Sequence, residues 1–186
     1  MRYLITPRLT LLVGVFEVSK PYFDRDEANL FTSVGDIRHR GVEVSLAGQL
    51  VPNLTVVAGA MLLQPRISGS TVDRGLIGRV PPGRPPRLIR FNANYAPPSW
   101  NGLSLETSIE HKGANFANRV NTFKVPAATL IDVGGRYKFE AFGKAASLRL
   151  QVQNITNAYG WSVNGSSGSF AYEGARRFSA RLAVDF

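Results

Sequence analysis

Period-two alternation of apolar and polar residues is the feature that most constrains this chain. Between Ala146 and Asn154, every second residue is apolar and the residues between them are polar or charged. Because successive side chains of a β-strand point to opposite faces, this segment predicts an amphipathic strand. Its length, roughly ten residues, is the length that a tilted strand needs to cross a membrane.

The same pattern recurs in about nine segments, whereas helical periodicity is nearly absent. These segments are 8–18, 28–37, 42–50, 53–63, 87–95, 103–111, 131–139, 146–154 and 178–186. The sequence therefore predicts an all-β, antiparallel fold. A soluble β-sandwich or barrel, acting as a binding module, also alternates, with its apolar residues inside.

The connections between these segments favour a membrane barrel over a soluble sandwich. Short links at Val51–Asn53, Ala96–Asn101 and Glu140–Ala145 alternate with long Gly-, Ser- and Pro-rich links. The long links are Gln64–Pro86, Lys112–Pro126 and Ile155–Ala175. Outer-membrane barrels have short periplasmic turns and longer extracellular loops. The order of the links therefore predicts a transmembrane β-barrel whose long links lie outside the cell.

The last segment ends on an aromatic residue that completes one apolar face. That face consists of Phe178, Ala180, Leu182, Val184 and Phe186. It resembles the terminal signature by which outer-membrane barrels are recognised for assembly, which would make the barrel-assembly machinery a partner.

Charge and residue types argue against several other functions. The formal net charge is +9, but the basic residues are spread singly along the chain, which disfavours nucleic acid as a partner. Cysteine is absent, and His39 and His111 stand in no metal-ligand spacing, so we expect neither metal nor cofactor. Glu106 and Glu110 would lie about 14 Å apart along a strand, too far for paired-carboxylate chemistry. We therefore expect no enzymatic activity.

Two motifs connect the pattern to a known family. The stretch Arg40-Gly41-Val42-Glu43-Val44 resembles the "RG-x-E" strand of TonB-dependent receptors. Leu148–Tyr159, which reads LRLQVQNITNAY, resembles their penultimate-strand motif. In it Asn154 and Asn157 flank the point where the strand ends, and their side chains can bond local backbone groups as the link begins. Upstream, Val13–Phe16 followed by Lys20-Pro21-Tyr22 is similar to a segment of siderophore receptors that precedes "RG-x-E". The resemblance covers nearly the whole chain.

The resemblance implies that residues 1–186 form the C-terminal part of a receptor β-barrel in the bacterial outer membrane. They would supply about nine of roughly 22 strands, with the plug domain absent from the chain. No secretion signal is recognisable near residue 1, so we expect a fragment of a longer product. The parent would take up ferric siderophores, with outer-membrane lipid around the barrel and the TonB complex acting through the missing plug. Haem, cobalamin or a glycan are alternative ligands.

Ligand contacts are expected in the long links, where cations and aromatic rings occur among flexible residues. The candidate residues are Arg66, Arg74, Arg79, Arg84, Tyr159, Trp161, Phe170 and Tyr172. Arginine offers charge-assisted hydrogen bonds to an anionic chelate, and aromatic rings offer flat apolar contact. The polar strand faces would line the lumen and carry further cations: Arg90, Arg136, Lys138, Arg149, Arg177 and Arg181.

Overall fold

The computed structural model describes residues 1–164 and 169–185, and its regular secondary structure is almost entirely β-strand. In chain order the strands are β1 (Arg2–Thr6), β2 (Leu9–Arg25), β3 (Phe31–Val51), β4 (Leu54–Ser68), β5 (Arg87–Tyr95), β6 (Leu103–Lys112), β7 (Asn115–Phe116), β8 (Lys124–Val125), β9 (Ala128–Ala141), β10 (Lys144–Gln153), β11 (Trp161–Asn164), β12 (Ser169–Tyr172) and β13 (Arg177–Val184). One helical turn, α1 (Ser70–Asp73), follows β4, and a 3-10 turn spans Pro98–Trp100. Within the described residues, no helix is long and apolar enough to cross a membrane.

Nine strands form one antiparallel sheet in the order β1-β2-β3-β4-β5-β6-β9-β10-β13. The strands β7–β8 and β11–β12 form two small separate hairpins within the long links. Each strand of the large sheet pairs with the next one along the chain, apart from these hairpins, as in an up-and-down barrel wall. The predicted all-β antiparallel class and the predicted number of strands are confirmed.

The identity of the nine strands differs from the prediction in two places. Segments 28–37 and 42–50 were expected to be separate strands, but they are parts of the single strand β3, 21 residues long. Its pairing with β2 runs without a break in register from Leu9↔Gly48 to Tyr22↔Gly35. The ninth strand is instead β1, which pairs with the beginning of β2 and was not predicted.

The two faces of the sheet separate as the alternation predicts. Arg149 lies opposite Arg136 and Arg181 on the neighbouring strands, so these side chains share one face. Leu150 and Leu182 lie on the other face, where 54% and 64% of their surfaces are exposed. No second sheet covers this apolar face within the described part of the chain. A soluble sandwich would bury it, so that alternative is wrong.

The alternation inverts its phase near the outer ends of β3 and β4. Below the inversion, Val42 of β3 and Leu62 of β4 lie opposite each other on the apolar face. Above it, Arg38 and Arg66 lie opposite each other on that same face, while Ile37 and Ile67 turn to the polar face. Ladder pairing is uninterrupted between the two levels, so the inversion arises from the residues and not from a bulge. Such a switch marks the level at which the outer environment changes from apolar to polar.

A small hydrophobic cluster fixes the first long link over the polar face. It consists of Val34, Ile37, Ile67, Val72 and Ile77, with Tyr22 packed against it. The link begins at residue 69, later than predicted, because β4 continues through Ser68. Burial, followed by the nearby Asp24 carboxylate, raises the pKa of Tyr22 to about 12.

The other long links span residues 113–127 and 154–176, at the same end of the antiparallel sheet, and the short links lie at the opposite end.

Candidate ligand-binding surface

The three long links contact one another and form a connected layer above the sheet. Asn121 of the second link bonds both backbone groups of Val80 in the first, accepting from its N–H at 2.9 Å and donating to its carbonyl at 2.7 Å. The amide of Gly83 donates to the Phe116 carbonyl at 2.9 Å. Because Gly83 also approaches the backbone of Val163 in β11, the first link touches the third.

The four predicted aromatic residues of the third link come together on this layer. Trp161 and Tyr172 are opposite partners in the β11–β12 hairpin, with ring centroids 5.6 Å apart. Tyr159 lies 5.5 Å from Trp161 and 5.2 Å from Tyr172, and Phe170 lies 6.3 Å from Trp161. Tyr159 remains 67% exposed. An exposed aromatic patch of this kind offers a contact surface for a flat or apolar ligand group.

A fifth ring, Phe123, joins this group from the second link and was not among the predicted residues. Its centroid lies 6.0 Å from that of Phe170. The side-chain oxygen of Asn118 accepts hydrogen bonds from the amides of Thr122 and Phe123, both at 3.1 Å, and so fixes the turn that carries the ring. Contact between two links cannot be read from periodicity, so only the presence of an aromatic residue in a polar link could have suggested Phe123. We call these five rings the aromatic surface.

Asn154 fixes the beginning of the third link, as the penultimate-strand motif predicted. The residue is buried and adopts a left-handed conformation with φ 50°. Its amide nitrogen donates to the carbonyls of Ala158 (2.9 Å) and Gly174 (3.1 Å), and its side-chain oxygen accepts from the Ala158 amide at 2.8 Å. Asn157 accepts one bond, from the Arg176 amide at 3.0 Å. Together these bonds join the two ends of the link.

An ion pair between Lys112 and Glu173 also holds the third link, and sequence reasoning missed it. Nζ of Lys112, at the outer end of β6, lies 2.6 Å from a carboxylate oxygen of Glu173. The two residues are far apart along the chain, and no motif connects them.

The four predicted arginines do not converge on one place. Arg74 pairs with Glu27 at 2.5 Å and so ties the first link to the β2–β3 connection. Arg84 lies beside Lys20 and His39 in a groove under Pro81 and Pro82. Arg66 was expected in a link but belongs to β4, because the sheet extends past the predicted strand end. It lies above the phase inversion, on the face that is apolar below it, and shares a groove with Arg79.

Ion pairs line the polar face of the sheet below the links. Glu106 bonds Arg136 at 3.0 Å and Arg149 at 2.5 Å, and Arg90 pairs with Glu110 at 2.6 Å. The cations were predicted on this face, but their carboxylate partners were not assigned this role. Nε of Arg149 is buried and has no hydrogen-bond partner among the described residues. The guanidinium groups of Arg90 and Arg136 stay partly exposed, so this face is suited to a further polar partner.

The predicted assembly signal lies on the last strand of the sheet. Strand β13 pairs with β10 from Arg177 to Val184. Phe178, Ala180, Leu182 and Val184 lie opposite apolar residues of β10 and share the exposed apolar face. Phe186 lies outside the described residues. Recognition of this strand during assembly stays a prediction.

Comparison with known sequences shows which proteins share this wall. Residues 9–155 match the family model described as "TonB dependent receptor-like, beta-barrel". The ferrichrome receptor FcuA of Yersinia enterocolitica is 27% identical over 176 residues, which cover 94% of this chain and 23% of that receptor. The ferrichrome outer membrane transporter/phage receptor of Escherichia coli (strain K12) is 30% identical over 135 residues, covering 70% of this chain and 18% of the relative.

Solved structures show the same architecture. BauA, the ferric preacinetobactin receptor of Acinetobacter baumannii, superposes with a TM-score of 0.82 at 26% identity, over 96% of this chain and 27% of BauA. The unliganded ferric citrate transporter FecA gives 0.80 at 19% identity, over 100% of this chain and 30% of FecA, a likeness of fold alone. The chain spans about a quarter of the length of these proteins. Since the family model covers most of the chain, we conclude that it belongs to the TonB-dependent receptors, as a segment of their outer-membrane β-barrel.

Proposed function

We propose that this chain forms the C-terminal barrel segment of an outer-membrane receptor that captures ferric siderophores, and that the aromatic surface contributes to ligand binding. The observation that carries the proposal is the convergence of five rings from two outer links on a barrel wall of this family. Rings held by a hairpin lose little conformational freedom when a ligand binds, which favours affinity.

The names of the relatives and the charges near the surface support the class of ligand. The relatives described above are named for ferrichrome, and BauA for ferric preacinetobactin. Arg84 and Lys20, beside His39, add positive charge to a groove under the same layer of links. A ferric chelate combines apolar or flat groups with oxygen atoms, so aromatic and cationic contacts suit it.

The polar face supports a role in energised transport by the complete receptor. In the proposed parent protein, a plug domain would lie against this face and connect it to the TonB complex. The ion pairs of Arg136 and Arg149 with Glu106, and of Arg90 with Glu110, offer hydrogen-bonding and charged groups to such a domain. Lipid would surround the apolar face, where Leu150 and Leu182 are exposed.

Removing the central rings tests the proposed capture surface. In the receptor that carries this segment, the double variant Trp161→Leu, Tyr172→Leu should weaken ferric siderophore binding to whole cells about 10-fold or more, since each ring contributes on the order of 1 kcal/mol. The matched control is Tyr95→Leu, Trp100→Leu, an edge-to-face pair with centroids 5.3 Å apart at the short-turn end of the sheet. That pair should leave the affinity unchanged.

Barrel insertion is checked in parallel by heat-modifiable migration on gels. Normal binding by an inserted Trp161→Leu, Tyr172→Leu receptor would refute the proposed role of the aromatic surface. Binding assays with haem, cobalamin and glycans on the unmodified receptor test the ligand class. A receptor that binds one of these and no ferric siderophore would refute the siderophore assignment.

A further inference from the structure

A groove beneath the first link brings together three basic side chains from distant parts of the chain. Lys20 comes from β2, His39 from β3 and Arg84 from the first link, and Pro81 and Pro82 also line the groove. We propose that this groove binds an anionic group of the captured ferric chelate, such as a free carboxylate, and that protonation of His39 strengthens this binding. The inference rests on the proposed capture function and names the class of ligand, a chelate with an anionic arm.

The sheet fixes two of the three basic side chains on the face that the first link covers. Lys20 lies opposite Ile37, and His39 lies two residues from Ile37 on the same face of β3. Diagonal neighbours of this kind on adjacent strands are about 7–8 Å apart, which long side chains can span. Ile37 is buried under the first link, so the groove adjoins a packed cluster. Lys20 and His39 are therefore held on a rigid base.

Backbone hydrogen bonds on both sides hold Arg84 at the edge of the groove. The amide of Gly83 donates to the Phe116 carbonyl, and the Pro86 carbonyl accepts from the Leu63 amide, both at 2.9 Å. A side chain on a fixed backbone loses less conformational freedom when it binds a ligand. The planar guanidinium group of Arg84 can donate paired hydrogen bonds to a carboxylate.

Lys20 and Arg84 carry charges that no acidic side chain neutralises within residues 1–164 and 169–185, where neither forms an ion pair. On this face of β3 the next carboxylate is Glu43, four residues from His39, which is about 14 Å along a strand. The facing residues of β4 are uncharged: Leu63, Pro65 and Ile67. An anion that enters the groove therefore meets two positive charges and displaces no acid.

The titratable groups at the outer end of the groove satisfy one another. The Tyr22 hydroxyl donates to one carboxylate oxygen of Asp24 at 3.5 Å, and the other oxygen accepts from the Arg25 amide at 2.8 Å. Nη1 of Arg119, from the second link, lies 3.8 Å from the same carboxylate. Asp24 is buried, so its charge is balanced by Arg119 and not by the groove.

His39 makes anion binding in the groove dependent on pH. Partial burial, followed by the charges of Arg84 and Lys20, lowers the pKa of His39 from its ordinary value of 6.5. A bound anion favours the protonated imidazole, so by linkage the groove binds an anion more tightly as the pH falls through the pKa of His39. Protonation adds a third positive charge to the two that are present at neutral pH.

The groove adjoins the aromatic surface through the residue that precedes Arg84. A Cβ on Gly83 would lie 3.0 Å from the carbonyl oxygen of Val163 in β11. Val163 is two residues from Trp161, one of the five rings. A chelate whose core rests on the rings can therefore extend an anionic arm towards Arg84.

Sulfate binding by the purified receptor that carries this segment tests the site by itself. Sulfate keeps its charge between about pH 5 and about pH 7.5, where histidine titrates, so a change in its affinity comes from the protein. Calorimetry should show about 10-fold tighter binding at the lower pH, as expected for one added charge-assisted hydrogen bond. Arg84→Gln should bind about 10-fold more weakly at both pH values.

Two further variants separate the roles of the side chains. His39→Gln should retain the affinity of the unmodified receptor at about pH 7.5 and lose the gain at the lower pH. The matched control is Arg79→Gln, which removes an arginine of the same link that lines a different groove, and it should bind sulfate like the unmodified receptor. None of these substitutions breaks an ion pair within the described residues, so we expect every variant to fold.

A matched pair of ferric chelates tests whether a captured ligand uses the groove. The iron complexes of acetylated and succinylated desferrioxamine B share one core, and only the succinylated complex carries a free carboxylate. Whole cells should bind the succinylated complex about 10-fold more tightly, and Arg84→Gln should abolish the difference. The variant Trp161→Leu, Tyr172→Leu should weaken both complexes equally, which distinguishes a failure of the groove from a failure of the aromatic surface.

Several results would overturn the proposal. In the sulfate measurements these are absence of binding, equal affinity in Arg84→Gln and the unmodified receptor, an equal loss in Arg79→Gln, and a pH dependence that persists in His39→Gln. Equal binding of the two iron complexes, together with sulfate binding in the groove, would identify a site for free anions only and would overturn the assignment to the ligand. If the receptor takes neither complex, the sulfate measurements decide alone.

Discussion

Asn154 offers a quantitative test of how the third link is held in place. Its side chain makes three short hydrogen bonds in a buried position, two to Ala158 and one to Gly174. The variant Asn154→Gly removes them but tolerates the left-handed backbone, so backbone strain does not confuse the result. Each lost bond costs about 1 kcal/mol, which gives about 3 kcal/mol for opening of the link.

Asn157 provides an internal comparison, because it has the same backbone conformation with fewer bonds. Its side-chain oxygen accepts one hydrogen bond, from the Arg176 amide, and water can replace that bond at this exposed position. We expect Asn157→Gly to cost about 1 kcal/mol or less. The two variants should therefore differ by at least about 10-fold in the equilibrium for opening of the link.

Hydrogen exchange of peptides covering residues 158–164 and 169–174 measures this equilibrium in the inserted receptor. Exchange should accelerate on the order of 100-fold in Asn154→Gly and about fivefold in Asn157→Gly. The amide of Glu173, which bonds the Gly160 carbonyl at 3.1 Å, reports opening without touching either asparagine. Equal protection in both variants would show that the hydrogen bonds of Asn154 do not hold the link.

Four further predictions follow from other parts of the chain. A Cβ on Gly41 would lie 2.4 Å from Phe16 and 2.9 Å from the Leu62 carbonyl, so Gly41→Ala should lower the yield of heat-modifiable barrel. Adding Phe16→Ala to that variant should restore part of the yield. Gly59→Ala, where the added Cβ has no contact closer than 3.7 Å, should be tolerated. Glu106→Gln leaves Arg136 and Arg149 without their shared carboxylate and should lower the free energy of unfolding in urea by about 2 kcal/mol. Glu17→Gln, at a largely exposed ion pair, should lower it by less than about 1 kcal/mol, and equal losses in the two variants would contradict this prediction. Because the pKa of Tyr22 rises from 10.0 to about 12 on folding, its contribution to stability is complete below pH 10 and is lost as the pH rises towards 12. Tyr22→Phe should abolish this pH dependence when base-induced unfolding is monitored by hydrogen exchange of the first link. Phe186→Ser should reduce the amount of folded barrel in the outer membrane, and unchanged levels of heat-modifiable barrel would count against its role in assembly.

Local pattern was sufficient to predict the wall of the barrel. Alternation between Ala146 and Asn154 depends on the strand and its immediate neighbours, and β10 has the predicted faces. The order of short and long links predicted that the long links share one end of the sheet, which the structure confirms, and the motif around Asn154 indicated its role at the beginning of a link. Each of these features is encoded within about ten consecutive residues.

The remaining features depend on the environment or on contacts between distant segments. Strand β3 was divided in the prediction because its alternation changes phase between Ile37 and Val42, and a change of phase looks like a strand boundary when the surroundings are unknown. Arg66 was assigned to a link for the same reason. Phe123 was missed because its partner Phe170 belongs to another link. The binding roles of the arginines and aromatic residues stay predictions.

The long extensions of β3 and β4 connect these observations physically. Above the phase inversion, Ile37 and Ile67 hold the first link through the buried cluster. That link is bonded to the second through Val80 and Asn121, and the second contacts the third through Phe123 and Phe170. The aromatic surface is therefore supported by a continuous series of contacts that begins on rigid strands. A surface ordered before the ligand arrives avoids part of the entropy cost of binding, which is the physical advantage of extending the strands beyond the membrane.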